Sequence, residues 1–208
     1  MYSAIRKVDA TVEPVSLQQA KAHCLVQADD QDSLLLLYIS AARRFCEEVT
    51  GRAFLTQTWL LSRDSFPAPF SGRCPFGSPE IMLPRPRVQE IVSIEYLDGS
   101  GTRQTLPSLN YLLDAGSEPG VLMPAPGRFW PYTPRVSGAV QVTYTAGYGD
   151  SPQDVPADLQ LAILMLVAHW YENREATVLP EGGTGNVSVP LGVADILAGY
   201  TLDLFTLE

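Results

Sequence analysis

Positively charged residues are scarce in this sequence. Its 208 residues hold 14 Lys and Arg against 23 Asp and Glu, which gives a formal net charge of -9. A protein that grips nucleic acid by its phosphates needs clustered Lys and Arg to displace counterions, so the composition argues against that mode of binding. An acidic protein placed next to DNA would repel it, which suits a wall past which DNA has to slide.

Cysteines are few, and their spacing matches no disulfide or metal motif. Cys24, Cys46 and Cys74 are an odd number, lie far apart and form no CxxC pair. We therefore expect reduced thiols in a cytosolic product. Cys24 and Cys46 fall within helical patterns, where a free cysteine is usually a small buried hydrophobe.

Histidines are equally rare, and no catalytic arrangement can be assembled around them. His23 and His169 each lie in a helical pattern with apolar neighbours, which favours packed residues over catalytic bases. His169 and Glu172 share one helix face, but a single such pair makes at most half of a metal site. The glycines at 182–185 lack the Lys-Ser/Thr pair of a phosphate-binding loop. The sequence therefore predicts no metal, no cofactor and no enzymatic activity.

No apolar run is long enough to cross a membrane. In the most apolar stretch, Leu159–Ala168, only Gln160 is polar, yet the stretch is shorter than the about 20 residues that a bilayer span needs. The first ten residues have no long apolar core either. We expect neither a membrane span nor a secretion signal.

The same apolar stretch lies in what we predict to be the central helix, Pro156–Ala176. Pro156 suits a first helical turn, and Asp158 puts a carboxylate near the positive end of the helix dipole. Because the apolar surface goes round the whole circumference, such a helix is covered on all sides. The cover is either other helices of this chain or neighbouring copies of the same helix.

Two helices are predicted before it. Ser16 and Gln19 have the spacing of a capping box, which indicates a helix over Leu17–Val26. An acidic loop then offers caps for a second helix, Ser33–Val49, which stops at Gly51. This helix has an apolar seam for another helix and a charged face, which we interpret as solvent-exposed. The seam is Leu35, Tyr38, Ala42, Phe45 and Val49, and the charged residues are Arg43, Arg44, Glu47 and Glu48.

From Ala53 onward the helical spacing of apolar residues ends. Short runs rich in β-branched and aromatic residues follow, separated by turn-forming residues. Thr56–Leu61 and Val88–Leu97 are predicted strands, and Asp98–Gly101 is a hairpin-type turn. The proline- and glycine-rich stretch 66–79 is predicted to be an exposed loop. Shorter strands are expected near Thr102–Leu106, Tyr111–Asp114, Val121–Met123 and Ala139–Thr145. A second proline-rich loop, Gly127–Val136, carries Arg128, Phe129, Trp130 and Tyr132.

This order predicts an α+β architecture: a three-helix core, made of two N-terminal helices and one long apolar helix, with an inserted antiparallel β region and a flexible C-terminal arm. The expected parts are 1–52 (N-terminal helices), 53–149 (β insertion), 150–176 (core helix) and 177–208 (arm). The arm is too apolar to be left bare in water, so we expect it to dock on a partner chain. The alternative is that it folds back on its own domain.

Three stretches together resemble a known family. They are Ser16–Gly51, Ile81–Gly101 and Val140–Glu175, and in the last TAGYG, then VP, then a long apolar helix ending in WYENRE form a combined signature. The sequence resembles the head-tail adaptor (head-tail connector) proteins of long-tailed bacteriophages and gene transfer agents, in the long form with a β insertion. The stretch 68–77 and the residues after Thr177 carry no part of this resemblance.

The resemblance implies a structural role in a virion or virus-like particle. Adaptors of this family form a ring of identical subunits, here expected to be twelve, under the portal at the head-tail junction. The ring extends the DNA channel, so DNA passes through it without specific binding. The implied partners are further copies of the chain, the portal protein and a stopper or other tail-side connector, and the protein would be made in the cytoplasm of a bacterial host.

The resemblance also suggests roles for three groups of residues. The helices would form the ring wall, the arm would reach into the portal, and the β insertion would face outward or towards the tail. For the lumen or the subunit interface the candidates are Glu47, Glu48, Glu172 and Glu175. For portal binding they are Val187, Val189, Leu191, Ile196, Leu197, Tyr200, Leu202, Leu204 and Phe205. For a tail-side or partner loop they are Arg128, Phe129, Trp130 and Tyr132.

Two other functions remain open from the sequence. One is a protein of another connector layer, either a stopper or a tail-completion protein. The buried helical arrangement favours the adaptor over this alternative. The other is a small hydrolase that uses Asp150, Asp154 or His169, although no pair of these is evidently placed for acid-base work.

Overall fold

The computed structural model describes residues 2–67, 79–174 and 190–202. The chain forms two compact units, each built from two segments. We call Met1–Ala10 with Thr56–Tyr148 the β unit, and Thr11–Leu55 with Gly149–Glu208 the helical unit. The α+β class predicted from the sequence is confirmed.

The strands of the β unit are antiparallel and form two sheets. The larger sheet has the order β1-β2-β8-β4-β5, and the smaller has the order β3-β7-β6. The strands are β1 Tyr2–Val8, β2 Gln57–Arg63, β3 Ile81–Leu83, β4 Val88–Leu97, β5 Arg103–Thr105, β6 Tyr111–Asp114, β7 Gly120–Pro124 and β8 Val140–Ala146.

Strand β8 lies at the centre of the larger sheet and shows the alternation that the sequence predicts. Val140, Val142, Tyr144 and Ala146 are buried, and the residues between them are half-buried. The Tyr144 hydroxyl donates to the backbone carbonyl of Pro84. Burial raises the pKa of this phenol, so it stays protonated and remains a donor at neutral pH.

Gly120, in β7 of the smaller sheet, is packed too closely for any larger residue. A Cβ at this position would lie 2.7 Å from Cγ2 and 3.1 Å from Cβ of Val88, a buried residue of β4. We expect Gly120→Ala to lower the free energy of unfolding by about 1–3 kcal/mol, because a β-branched neighbour cannot move aside without repacking. Urea denaturation measures it.

Gly116→Ala is the matched control for that substitution. Gly116 is exposed, and a Cβ there would meet only Oδ1 of Asp114, at 3.4 Å. Its unfolding midpoint should stay close to that of the unmodified chain. Equal midpoints for Gly120→Ala and Gly116→Ala would show that the contact between Gly120 and Val88 is not tight.

The described residues of the helical unit form four α-helices: α1 Leu17–His23, α2 Asp32–Thr50, α3 Ala157–Glu172 and α4 Leu191–Ala198. The three helices expected from the sequence are present. The predicted capping box is also present, with the Ser16 hydroxyl accepting from the Gln19 amide and the Gln19 side chain accepting from the Ser16 amide. Helix α2 ends at Gly51, whose φ of 69° lies in the left-handed region that favours glycine.

Helix α3 packs on α1, α2 and α4, but the described residues do not cover it all round. The Trp170 ring lies edge-on to the rings of Tyr38 and Phe45, each at 6.3 Å between centroids. The opposite face includes the exposed Leu161. The buried residues of α3 are Leu159, Ala162, Ile163, Leu166 and Val167, and those of α2 include Leu35, Ile39, Ala42 and Cys46.

The expectation of a detached C-terminal arm is wrong for residues 190–202, which fold back onto their own unit. Helix α4 packs on α3 and α2, with Val193 and Leu197 fully buried. The Nε of Arg52 donates to the Tyr200 carbonyl at 2.7 Å, and the Tyr200 hydroxyl donates to the Asp158 carboxylate at 2.7 Å. The segment folds back because its apolar side chains find cover in their own unit.

Candidate interaction surfaces

The two units differ sharply in charge. The β unit has nine Lys and Arg against eight Asp and Glu, a formal charge of +1, whereas the helical unit has five against fifteen, a formal charge of -10. The whole acidic excess of the chain therefore belongs to the helical unit. Any surface of this chain that repels DNA through an excess of negative charge therefore belongs to that unit.

Two of the four charged residues expected to face solvent on α2 are buried instead. Arg43 and Glu47 are each 2% exposed. Arg43 donates from Nε to Glu13 at 2.7 Å and from Nη1 to Glu47 at 3.1 Å, and Glu47 also accepts from the Phe54 amide at 3.1 Å. Burial is tolerated because each charge has an opposite charge and hydrogen bonds.

This cluster changes the expected role of Glu47. Its carboxylate is used inside the helical unit, so the expectation that it faces a lumen or a neighbouring subunit is corrected. Arg44 and Glu48, on the other side of the same helix, are exposed as expected. Glu13 is the member of the cluster that sequence reasoning missed, because it lies 30 residues before Arg43 and outside any helix.

The loop between α1 and α2 and the end of α3 bring acidic residues to one end of the helical unit. Lys21 donates to Asp29 at 2.6 Å and to Asp32 at 2.7 Å, and these hydrogen bonds raise its pKa. The hydrogen bond from Lys21 in turn lowers the pKa of Asp29. Arg174 connects this loop to the end of α3 by donating to Gln31 at 3.2 Å. Glu172, the last residue of α3, is exposed there.

The expected portal-binding residues are only partly within the described chain. Leu197 is buried, so it is not available on the surface of the folded-back segment. Ile196, Tyr200 and Leu202 are half-buried, and Leu191 begins α4. Val187, Val189, Leu204 and Phe205 lie outside the described residues, as does the lumen candidate Glu175.

The aromatic loop is built on a rigid base in the β unit. The Trp130 ring stacks on the Phe66 ring at 4.8 Å with planes 7° apart, and its indole N–H donates to the Pro79 carbonyl at 2.6 Å. Phe129 and Tyr132, on either side of it, are 77% and 78% exposed. A groove of about 440 Å³ lies beside Phe129 and Trp130. The loop therefore presents two large apolar rings from a fixed position.

Asp154 and His169, two of the three residues considered for hydrolysis, are not brought together. Asp154 accepts from the Ser151 amide at 2.9 Å in the turn before α3, whereas His169 lies near the other end of that helix. At 1.5 Å per residue the two positions are about 20 Å apart. The structure contradicts a site that combines them.

Within residues 2–67, 79–174 and 190–202, the buried cysteine is unreactive and the potential metal ligands do not cluster. Burial raises the pKa of Cys46 to about 12, which keeps the thiol protonated and unreactive. No group of three or more potential metal-ligating residues occurs there. None of the helices in this part of the chain has the length and apolarity needed to span a membrane.

The described chain thus combines a helical unit that carries the acidic excess, an antiparallel β unit and several exposed apolar side chains. The family model described as Head completion protein matches residues 14–185, and the chain belongs to this family. Membership of the head-tail connector proteins and a structural, non-enzymatic role, both expected from the sequence, are thereby confirmed.

Three solved structures contain chains of similar fold, and each match covers 98% of this chain and 97% of the other chain. They come from the neck of an empty gene transfer agent (GTA) particle computed with C6 symmetry (TM-score 0.73, 21% identity), from the virion of a native GTA particle (0.70, 21%) and from the neck of a native GTA particle computed with C12 symmetry (0.67, 24%). No curated protein matches the sequence.

Proposed function

We propose that the chain is the head-tail adaptor, which forms a ring of twelve copies under the portal, extends the DNA channel and joins the capsid to the tail. One observation carries the proposal: nearly the whole chain shares its fold with chains from GTA necks, one of them computed with C12 symmetry. The family match supports a place at the completed head. The location is then the head-tail junction of a phage or GTA particle assembled in a bacterial cytoplasm.

The charge of the helical unit supports its placement along the channel. A unit with a formal charge of -10 repels the DNA backbone, so DNA slides past without being held. Glu48 and Glu172 are the exposed candidates for the lumen or for contacts between subunits. The electrostatic effect weakens with salt, because exposed charges are screened beyond about 10 Å at 0.1 M.

Charge reversal of these residues should therefore hinder DNA passage. We expect Glu48→Lys combined with Glu172→Lys to slow DNA ejection or transfer, since the new cations attract phosphates, and we expect added salt to reduce the defect. The measurement is DNA transfer by particles whose necks are shown to be complete by electron microscopy. Glu90→Lys, the same change on the exposed surface of the β unit, is the control. Normal transfer by the double variant would remove both residues from the channel.

The portal is the proposed partner of the C-terminal residues. Val193 and Leu197 are covered by α3 and α2, so Leu197 could contact the portal only if α4 left its place. Ile196 and Leu202 are half-buried and can contact the portal without rearrangement. The remaining apolar candidates, before residue 190 and after residue 202, complete the proposed portal contact.

The aromatic loop is the proposed contact for the next connector on the tail side. Exposed Phe129 and Tyr132 beside a fixed Trp130 have the character of interface residues, which are often aromatic. A place as stopper or tail-completion protein is the second candidate, since the family description speaks of head completion without naming a layer.

Removing the gene from the producing strain tests the proposed function. Without the chain, we expect heads that contain portal and packaged DNA to accumulate separately from tails, and a copy of the gene in trans to restore joined particles. Joined, DNA-transferring particles from the deletion strain would overturn the proposal. Complete necks lacking only the outermost layer would favour the stopper.

A further inference from the structure

The helical unit has two uncharged, largely apolar faces that the described residues of its own chain leave partly uncovered. On α3 the face is Ala157, Leu161, Leu164 and Ala168, one residue per turn, with Leu161 45% exposed and Leu164 and Ala168 half-buried. On α2 it is Leu36, Leu37, Ser40 and Ala41, with the two leucines 51% and 63% exposed and the other two residues half-buried. We call these the α3 face and the α2 face.

Neither face has the composition of a helix surface that remains in water. No charged residue occurs in the sequence from Leu159 to Tyr171 or from Ser33 to Ala42, although the unit that contains them has a formal charge of -10. Solvent-facing stripes of helices are normally polar or charged. Close contacts between like charges are costly, so two copies of so acidic a unit meet at the least electrostatic cost through uncharged surfaces such as these.

The faces point away from the α2–α3 contact. On α2, Leu35 and Ile39 are buried, whereas Leu36 and Leu37 lie on the side that solvent reaches. On α3, Leu159 and Ile163 are buried, and Leu161 lies nearly opposite to them round the helix. The chain therefore carries two different apolar faces rather than one self-complementary patch.

Two unlike faces are what a closed ring requires. A self-complementary patch pairs copies across a twofold axis, whereas a cyclic ring uses a head-to-tail contact in which each copy contributes a different face to each neighbour. We propose that the α3 face of one copy packs against the α2 face of the next copy in the ring. This inference rests on the proposed function, because it names the contact that builds the proposed ring.

Substitution of one leucine on each face tests the contact. We expect Leu161→Glu and Leu37→Glu each to abolish rings, on the portal or free, because an unpaired carboxylate buried at the centre of an interface weakens each contact by about 30-fold or more. Leu109→Glu is the matched control, since Leu109 is 82% exposed in the β unit. Circular dichroism melting of the three variants checks that each is folded.

Mixing the two variants makes the test specific for a head-to-tail contact. Leu161→Glu keeps an intact α2 face and Leu37→Glu keeps an intact α3 face, so the mixture has one productive contact and should stop at a pair of twice 22.7 kDa. Sedimentation at high concentration measures it. A disulfide between Leu161→Cys of one copy and Leu37→Cys of another, formed in the assembled neck, gives the same information without relying on affinity.

The outcomes separate this proposal from the proposed function. Rings of the unmodified chain and of Leu109→Glu, with none from the two face variants and a 1:1 pair from their mixture, support both. Normal rings from Leu161→Glu and Leu37→Glu, or no disulfide in the neck, would overturn the faces and leave the adaptor role standing. An unmodified chain that forms no ring with the portal would instead contradict the proposed function.

Discussion

Arg43→Met is expected to lower the free energy of unfolding of the helical unit by about 3–5 kcal/mol. The substitution removes a buried guanidinium that donates to both Glu13 and Glu47. The Glu47 carboxyl group would then lose its positively charged partner in a site that is 2% exposed, with the Phe54 amide as a remaining donor. Chemical denaturation followed by circular dichroism measures the loss, and a decrease below about 1 kcal/mol would contradict the structural role of the cluster.

Arg44→Met is the matched control, because it makes the same change at the next residue of α2, where the side chain is exposed. Ion pairs of exposed arginines contribute at most about 1 kcal/mol, so its effect should be small. The double variant Arg43→Met with Glu47→Leu should lose less stability than the two single variants added together, since it leaves neither buried charge alone. Strict additivity would show that Arg43 and Glu47 are not coupled.

Leu166→Ala should have an effect of similar size, lowering the free energy of unfolding by about 2–5 kcal/mol. Leu166 lies on the buried face of α3 and is 1% exposed, so the shorter side chain leaves a cavity between α3 and its neighbours. The same denaturation experiment measures the change.

Leu161→Ala, five residues earlier on the same helix, separates packing inside the unit from contacts between copies. Leu161 is on the exposed side of α3, so its truncation should change the stability of the isolated chain by less than about 1 kcal/mol while weakening ring assembly. If Leu161→Ala destabilised the isolated chain as much as Leu166→Ala, the proposed α3 face would be part of the chain's own core.

Local rules accounted for much of the fold. The pair Ser16 and Gln19 indicates the start of α1, Gly51 indicates the end of α2, and the alternation in Ala139–Thr145 indicates a strand, which the structure shows as β8, Val140–Ala146. Each of these signals depends on residues close in sequence, so a single chain displays it. The strand β1 was missed because Tyr2–Val8 pairs with β2, which lies 50 to 61 residues later in the sequence.

The candidate surfaces were less predictable, because they depend on distant partners. The charge pattern of α2 is typical of a solvated face, whereas Glu13 and the Phe54 amide, both outside α2, hold Arg43 and Glu47 inside the unit. Residues 191–198 form a helix despite Gly192, because Val193 and Leu197 pack on α3 and α2. The all-round apolar character of α3 indicates a second cover besides the described helices, and we propose that a neighbouring copy provides it.

Mixing the purified chain with the portal of the same genome, followed by negative-stain electron microscopy, tests the adaptor role most directly. The account predicts a second ring stacked on the narrow end of the portal, and weaker stacking when residues 203–208 are deleted, a change that retains α4. Undiminished stacking after this deletion would contradict the portal contact of the residues after 202. A full-length chain that stays separate from the portal would contradict the adaptor role and direct the same experiment to the neighbouring tail proteins.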